Sequence, residues 1–449
     1  MGQAAFTILT PVLPGHDTAL SELLTSIGDA VVDDQRLGLS GLDRLHYASF
    51  SILPGGEGAR LAFEGNIDGS PSAFLENLLD VSASAMDDVY SHCAGYPPLA
   101  DGDREPTLRY LLDRDIGADT FFVAWPGHSL DMIRREDELR RWIQDFLDEP
   151  EQASLRRSDP ENVHRAVVQA VRDDPSIRWA LEAEPLPFLV RHPRTVLVLL
   201  AAPALAGLVA IVVAAARRGT ARRPARLFLG TVAAAAAGAL ARLRAAELAD
   251  DHRERSRTTD WETVYTAWSK NLSQFRHRED AKGQNHLTSI ADIKPGLFRF
   301  VTLRTVLAVI RAVATLSPVR GQLGGITSIH FARWVITPDR RLIFLSNFDG
   351  SWENYLGDFV DLAARGLTAV WTNTHNDVGF PHTTWLVEQG ARDEARFKAF
   401  ARRGMEPTLL WYSAYPGLSV ANISNNRAIR EGLRRPQDAG GTEAWLRRL

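Results

Sequence analysis

The chain states one pattern twice, and that duplication limits what it can fold into more than any other feature. The first statement is Leu45-His46-Tyr47-Ala48-Ser49-Phe50 followed by Leu61-Ala62-Phe63-Glu64-Gly65-Asn66-Ile67-Asp68-Gly69-Ser70. The second is Ile329-His330-Phe331-Ala332-Arg333-Trp334 followed by Leu342-Ile343-Phe344-Leu345-Ser346-Asn347-Phe348-Asp349-Gly350-Ser351. His46 and His330 are 284 residues apart, as are Gly95 and Gly379. Asp68 and Asp349 are 281 apart, because the second hairpin loop is shorter. Ala124-Trp125-Pro126-Gly127 is answered by Ala414-Tyr415-Pro416-Gly417 at 290. Anchors in one order at nearly constant offset define an internal repeat, and 449 residues are enough for two folding units.

Each unit reads as β-α-β-β-α-β with a trailing helix, the ferredoxin-like order. In the first, residues 4–13 form a strand, 18–32 a helix, 44–53 and 59–66 a hairpin, and 71–92 a second helix. Ser70-Pro71 opens that helix, with serine as N-cap and proline at the first helical position. A strand at 120–125 and a helix at 130–147 close the unit. In the second, the elements are expected at 285–293, 297–316, 326–337, 341–347 and 351–365. An extra strand and helix follow (383–403), then a strand at 408–414 and a helix at 420–433. The fold class expected is α+β: two tandem ferredoxin-like repeats, residues 1–150 and 284–449, packed as a barrel.

Foreign material separates the repeats. Residues 151–190 read as a helical linker, and 191–245 as a membrane helix or helical hairpin. Val196 to Ala216 is uncharged and long enough to cross a hydrocarbon layer of ~30 Å, with Arg191, Arg194, Arg217 and Arg218 around it. Leu227 to Ala241 is a shorter, alanine-rich run. If the repeats pack together, both lie on one side of the membrane, which excludes a single crossing; the cytoplasmic face is expected. A helical hairpin satisfies this but places its arginine-rich turn outside, against the positive-inside tendency; a hairpin dipping into one leaflet, or a translocated N-terminal domain, avoids that conflict. Residues 246–283, with Trp261 and Trp268, read as a helical connector.

A net charge of −4 and the lack of any basic–aromatic motif exclude nucleic acid as the expected partner. The single cysteine, Cys93, excludes an intrachain disulfide framework, a cysteine-rich zinc site and covalent CxxCH haem attachment. The N-terminus lacks the basic and apolar regions of a signal peptide. Walker, Rossmann, GxSxG and HExxH patterns are all absent from the sequence.

Residues that differ between the repeats are the most informative for chemistry. A histidine shared by both repeats is ordinarily structural, and Asp-Gly-Ser at a strand-to-helix turn is ordinarily an Asx turn with an N-cap. Arg333 and Trp334 replace Ser49 and Phe50, while Trp352, Glu353 and Tyr355 replace Pro71, Ser72 and Phe74. By the period of two, His330 and Arg333 should point to opposite sheet faces. A guanidinium between sheets needs an anionic partner, either Asp349, Glu353 or a ligand carboxylate. The second repeat also carries Asn347, Asn285-His286 and the polar loop Trp371-Thr372-Asn373-Thr374-His375-Asn376-Asp377. Function is therefore expected in the second repeat.

These paired units, with their aspartate–glycine turns and strand arginine, resemble the dimeric α+β barrel superfamily, which includes the dye-decolourising peroxidases and chlorite dismutases. Gly65-Asn66-Ile67-Asp68-Gly69 matches the peroxidase GxxDG motif. The segments around 329–334 and 347–359 also look like actinobacterial proteins labelled peroxidase-like. The resemblance implies a membrane-associated, haem-dependent oxidoreductase acting on peroxide and an organic co-substrate. His330 or His375 would ligate iron, with Trp334 and Asn347 in contact with the cofactor. Arg333 and Asp349 would stabilise charge and move protons, with Glu353 and Tyr355 as further catalytic candidates. The alternative is a haem-free barrel that binds an apolar or lipid-like ligand, or a scaffold, at the membrane. Membrane lipid and a small molecule are the expected partners.

Overall fold

The computed structural model describes residues 2–30, 37–56, 58–99, 103–183, 222–256, 275, 282–316, 321–434 and 439–449. The first half contains β1 (Gln3–Pro11), α1 (Asp17–Asp29), β2 (Leu45–Leu53), β3 (Arg60–Asp68), α2 (Pro71–Tyr90), α3 (Glu105–Leu112), β4 (Thr120–Val123), α4 (Leu130–Asp148) and α5 (Pro160–Asp173). A long helix, α6 (Arg222–Ser256), leads into the second half. There follow β5 (Gln284–Ile293), α7 (Leu297–Leu316), β6 (Ile329–Ile336), β7 (Arg341–Asp349) and α8 (Trp352–Trp371). The accessory segment holds β8 (Thr374–His375), β9 (Thr383–Thr384), β10 (Glu388–Gln389) and α9 (Glu394–Arg403). The chain ends with β11 (Met405–Glu406), β12 (Thr408–Ser413), α10 (Val420–Arg434) and α11 (Ala439–Leu446).

The protein is α+β, built on two antiparallel sheets with helices outside. Sheet one has the order β1-β3-β2-β12, and sheet two β11-β5-β7-β6-β4, with β8 also pairing to β5. Each half therefore lends its closing strand to the other. β4 lies antiparallel to β6 (Phe122 opposite Ala332), and β12 to β2 (Tyr412 opposite Ala48). The sequence pattern placed these strands at the right positions but in their own units. Sequence gives strand identity, whereas the pairing partner is a tertiary outcome.

Alternation along each strand sorts the two faces. Outward residues of sheet one, such as Ile8, Phe50 and Phe63, form a core with Leu20, Leu24, Phe74 and Leu78 of α1 and α2. Leu342, Phe344 and Phe348 of sheet two do the same with Leu303, Leu307, Tyr355 and Phe359 of α7 and α8. The inner faces meet through Leu9, Leu53, Ala62, Ile290, Val335, Ile343 and Leu345. Each buried Leu, Ile, Val or Phe among these contributes about 1.5–3 kcal/mol. α4 and α10, the trailing helices of the two halves, share a further core through Leu139, Ile143, Ile429 and Leu433.

No helix among the described residues is long and apolar enough to cross a membrane. Val196–Ala216 lies outside the described residues, as do Trp261 and Trp268. The alanine-rich run 227–241 falls within α6, which continues unbroken to Ser256 across the expected boundary at 245.

Candidate functional site

Two duplicated devices hold the centre of the fold. Both β2 and β6 bulge where the histidine stands. Leu45 and Tyr47 pair with the adjacent Ile67 and Asn66, and Ile329 and Phe331 with the adjacent Phe348 and Asn347. A bulge places two residues opposite one and shifts the side-chain alternation beyond it. His330 and Arg333 consequently both reach toward sheet one, which corrects the expectation of opposite faces. The His330 ring lies 5.4 Å from that of Tyr47, and Arg333 bonds the Gly65 carbonyl. The carbonyl of each bulged histidine takes the exchanged strand, accepting from Ala414 N–H at His46 (2.9 Å) and Ala124 N–H at His330 (3.0 Å).

Each histidine meets the aspartate that ends the next strand. His330 Nε2 is 2.7 Å from Asp349 Oδ1, and His46 Nε2 is 3.1 Å from Asp68 Oδ1, the latter off the hydrogen-bond direction. The other carboxylate oxygen accepts the first N–H of a trailing helix: Leu130 N to Asp68 (2.8 Å) and Val420 N to Asp349 (2.7 Å). An acceptor there satisfies an orphan donor and favours the helix dipole. Gly69 (φ 98°) and Gly350 (φ 80°) then turn the chain through the left-handed region, and Ser70 and Ser351 cap α2 and α8. Gly65 is glycine for another reason: a Cβ would lie 2.3 Å from the Phe6 ring. Packing and turn geometry thus account for the whole GxxDG match.

The strand glutamines Gln3 and Gln284 face these aspartates across the sheets and belong to the same device, which sequence reading missed. Gln3 Nε2 donates to His128 O (2.6 Å), and Gln284 Nε2 to Leu418 O (2.6 Å). Their offset of 281 was the available signal. Around them, Tyr415 OH sits 3.1 Å from His46 Nδ1, and Trp411 Nε1 donates to Asn347 Oδ1 (2.9 Å). Burial pushes the hydroxyl pKa values of Tyr47 and Tyr415 upward, so both hold their protons.

The polar centre between the sheets is not duplicated. Arg333 pairs with Glu64, both side chains buried, and also donates to Gly65 O (3.0 Å), Asn66 Oδ1 (2.8 Å) and Thr7 Oγ1 (3.2 Å). Its partner is Glu64 of the first half, where Asp349, Glu353 or a ligand had been expected. Glu64 also faces His286 Nε2 (3.1 Å) and accepts from Ser49 Oγ (3.0 Å). Burial alone would raise the Glu64 pKa, but Arg333, His286 and Ser49 outweigh it and hold the carboxyl below its ordinary value.

The remaining candidates are scattered. Trp334 lies in the outer core 4.7 Å from the Phe344 ring, and Tyr355 stacks on Phe348 with its hydroxyl 2.6 Å from Ser346 Oγ. Glu353 is on the surface with Lys398 (3.1 Å). The structure brings together His330 and Asp349, but leaves Arg333, Glu353 and Tyr355 in three separate surroundings.

His375 stands apart from all of these, at a cavity of about 950 Å³ between α6, the 372–383 loop and α9. α6 reaches it with Glu247, Asp250 and Asp251, which helical spacing puts on one face. Glu247 accepts from Trp385 N and Leu386 N, Asp250 takes Lys294 and Arg299, and Asp251 pairs with His382. His375 Nδ1 is 3.1 Å from the Asp292 carbonyl. That contact selects the tautomer with the proton on Nδ1 and leaves Nε2 as an acceptor. Val378, Phe380, Pro381 and Ala399 supply apolar wall.

A haem fits poorly at His330. Iron on Nε2 would have to displace Asp349, and the Tyr47 and Tyr415 rings flank the imidazole at 5.4 and 5.9 Å. At His375 the nitrogen is available, and the hydrogen bond behind it is of the kind that orients metal-ligating histidines. Among the described residues no group of three or more His, Cys, Asp or Glu is placed to hold a metal ion directly. Neither family models, nor curated proteins, nor solved structures include a match to this chain.

Proposed function

We propose that this chain is a membrane-attached, small-molecule-binding protein: two tandem ferredoxin-like repeats joined as an α+β barrel, with the ligand site beside His375. The observation that carries this reading is where the room lies. Among the described residues, the two sheets meet through packed apolar side chains, with the Arg333–Glu64 pair buried between them. The cavity, by contrast, draws part of its wall from α6 and from the extra segment 383–403, and closes on the 372–382 loop, whose Gly379 answers Gly95 of the first half. Its acidic groups are already engaged, whereas Arg396 is largely exposed and its contact with Asp393 is long (3.6 Å). Those features favour an anionic ligand with an apolar body. The uncharged run 196–216 supports the attachment.

The test is a thermal-shift screen of aromatic and aliphatic carboxylates and phosphates, repeated on His375→Ala and Arg396→Ala. A hit whose shift is lost in both variants supports the site. A hit that survives both, or that is lost only on changing Arg333, moves the site elsewhere and overturns the reading.

A haem-dependent peroxidase is the second reading, favoured by the open Nε2 of His375. Haem bound there would supply redox chemistry with peroxide, while His375 Nε2 would hold it and the Asp292 carbonyl would fix the histidine tautomer. A Soret band after haem supplementation that is lost in His375→Ala but kept in His330→Ala would establish it. No Soret band would exclude it.

A further inference from the structure

One face of the second half has a composition unlike the rest of the molecule. α7 buries Leu303 and Leu307 against sheet two but turns Leu297, Val301, Val309 and Val313 outward, where they are 71, 51, 57 and 62% exposed. Its 20 residues include three arginines and no carboxylate. α6 meets the N-terminal end of α7, with the Arg242 guanidinium 5.4 Å from the Phe298 ring. Residues 233–241 of α6, before that contact, are exposed, including Leu240 at 52%. Between Ala233 and Ala246 this helix carries Arg242 and Arg244 and, again, no carboxylate. Arg304 and Arg340 stand beside Phe300 at 5.8 and 4.6 Å. Arg299 is turned inward onto Asp250 of α6, and Asp119 stands beside Arg304 and Arg340, so the outer charge of α7 itself comes from Arg304 and Arg311 with no carboxylate on the helix.

Apolar side chains flanked by arginines fit a partner that is both apolar and anionic. A second copy of the same face would set arginine against arginine. An anionic lipid surface matches both properties, since valine and leucine enter the acyl boundary while guanidinium groups stay at the phosphates. Continuity argues for the same partner, because only five residues separate the uncharged run ending at Ala216 from the start of α6 at Arg222.

We infer that the outer face of α7, with the adjoining part of α6, lies flat on an anionic lipid surface. This inference rests on the membrane attachment proposed above, and the test separates the two. The full-length chain carrying Val309→Cys, labelled with an environment-sensitive fluorophore, is mixed with phosphatidylcholine vesicles with and without phosphatidylglycerol. Cys93 does not interfere, because burial pushes its thiol up to about 11 and leaves it 3% exposed. The same label at Val81→Cys, on the outer side of α2, is the control. A blue shift and quenching by spin-labelled lipid are expected at 309 but not at 81. Arg304→Gln should weaken binding to the anionic vesicles about fivefold, since each basic group near such a surface contributes about 1 kcal/mol. A chain that floats with vesicles while position 309 stays in water overturns the face assignment and leaves the attachment standing. A chain that does not float overturns both. A shift at 309 without vesicles that grows with protein concentration means a second copy covers the face, which also overturns the inference.

Discussion

Arg333 of β6 and Glu64 of β3 form an ion pair buried between the two sheets, each residue being supplied by a different half of the chain. The positions equivalent to them under the repeat are Ser49 and Leu345, so the pair occurs once. Two first halves brought together would set Glu64 against Ser49, and two second halves would set Arg333 against Leu345. Either combination buries an uncompensated charge, which costs several kcal/mol. The pair makes the halves complementary as well as similar.

Breaking this pair from one side should be costly, and removing it whole should not. Glu64→Gln and Arg333→Met alone should each destabilise by about 3–5 kcal/mol, and the double variant by much less than their sum. Urea unfolding of the four proteins gives the cycle. Additive losses would show that the two groups do not act as a pair.

The lowered Glu64 pKa sets an acid limit. An unfolded glutamate titrates at about 4.5, and the folded group titrates below that. Between the two values the unfolded chain binds more protons, so stability falls as pH drops. The contribution is fully present above about 4.5 and is lost as pH passes through the folded value. Urea midpoints measured from pH 7 to pH 3 should fall less steeply for the Glu64→Gln/Arg333→Met protein than for the wild type.

Glu406 behaves in the opposite sense. Burial raises its pKa to about 7, against the opposing pull of Arg403 and Arg341. Between about 4.5 and 7 the folded state holds a proton that the unfolded state has lost, so stability declines as pH rises through this window. Glu406→Gln should remove the decline and stabilise the protein at pH 8 by up to about 3 kcal/mol. Equal midpoints for variant and wild type at pH 8 would refute this.

Asp349 joins a histidine to a helix. Asp349→Asn keeps an acceptor for Val420 N–H, whereas Asp349→Ala leaves that donor unpaired. Alanine should cost about 1–2 kcal/mol more than asparagine in thermal unfolding. Asp68 and Leu130 should repeat the result.

The sequence carried much of this architecture because the repeat reports on itself. Both hairpins, the helices they lead into and the Asp-Gly-Ser turns stand where alternation and capping residues put them. The bulges at His46 and His330 were not legible, because one extra residue in a strand leaves the apolar pattern almost unchanged while reversing which way the next side chains point. Arg333 was correctly marked as needing an anion. Its partner, Glu64, comes from the other half, because sequence proximity is a poor guide to which sheet faces which. The cavity beside His375 was hidden for a related reason: it depends on Asp250 and Asp251 arriving from α6, more than 100 residues earlier in the chain.

The exchanged strands alter what the chain between the halves must do. β4 and β12 fasten each half to the other by backbone hydrogen bonds, so the covalent connection need not serve as a clamp. A chain cleaved within 196–216 should migrate as one particle, with its fragments parting only in denaturant. Freed from holding the halves together, the intervening segment can lengthen, change composition or acquire an address of its own without loosening the assembly. An uncharged run flanked by arginines is what such a released tether can come to carry.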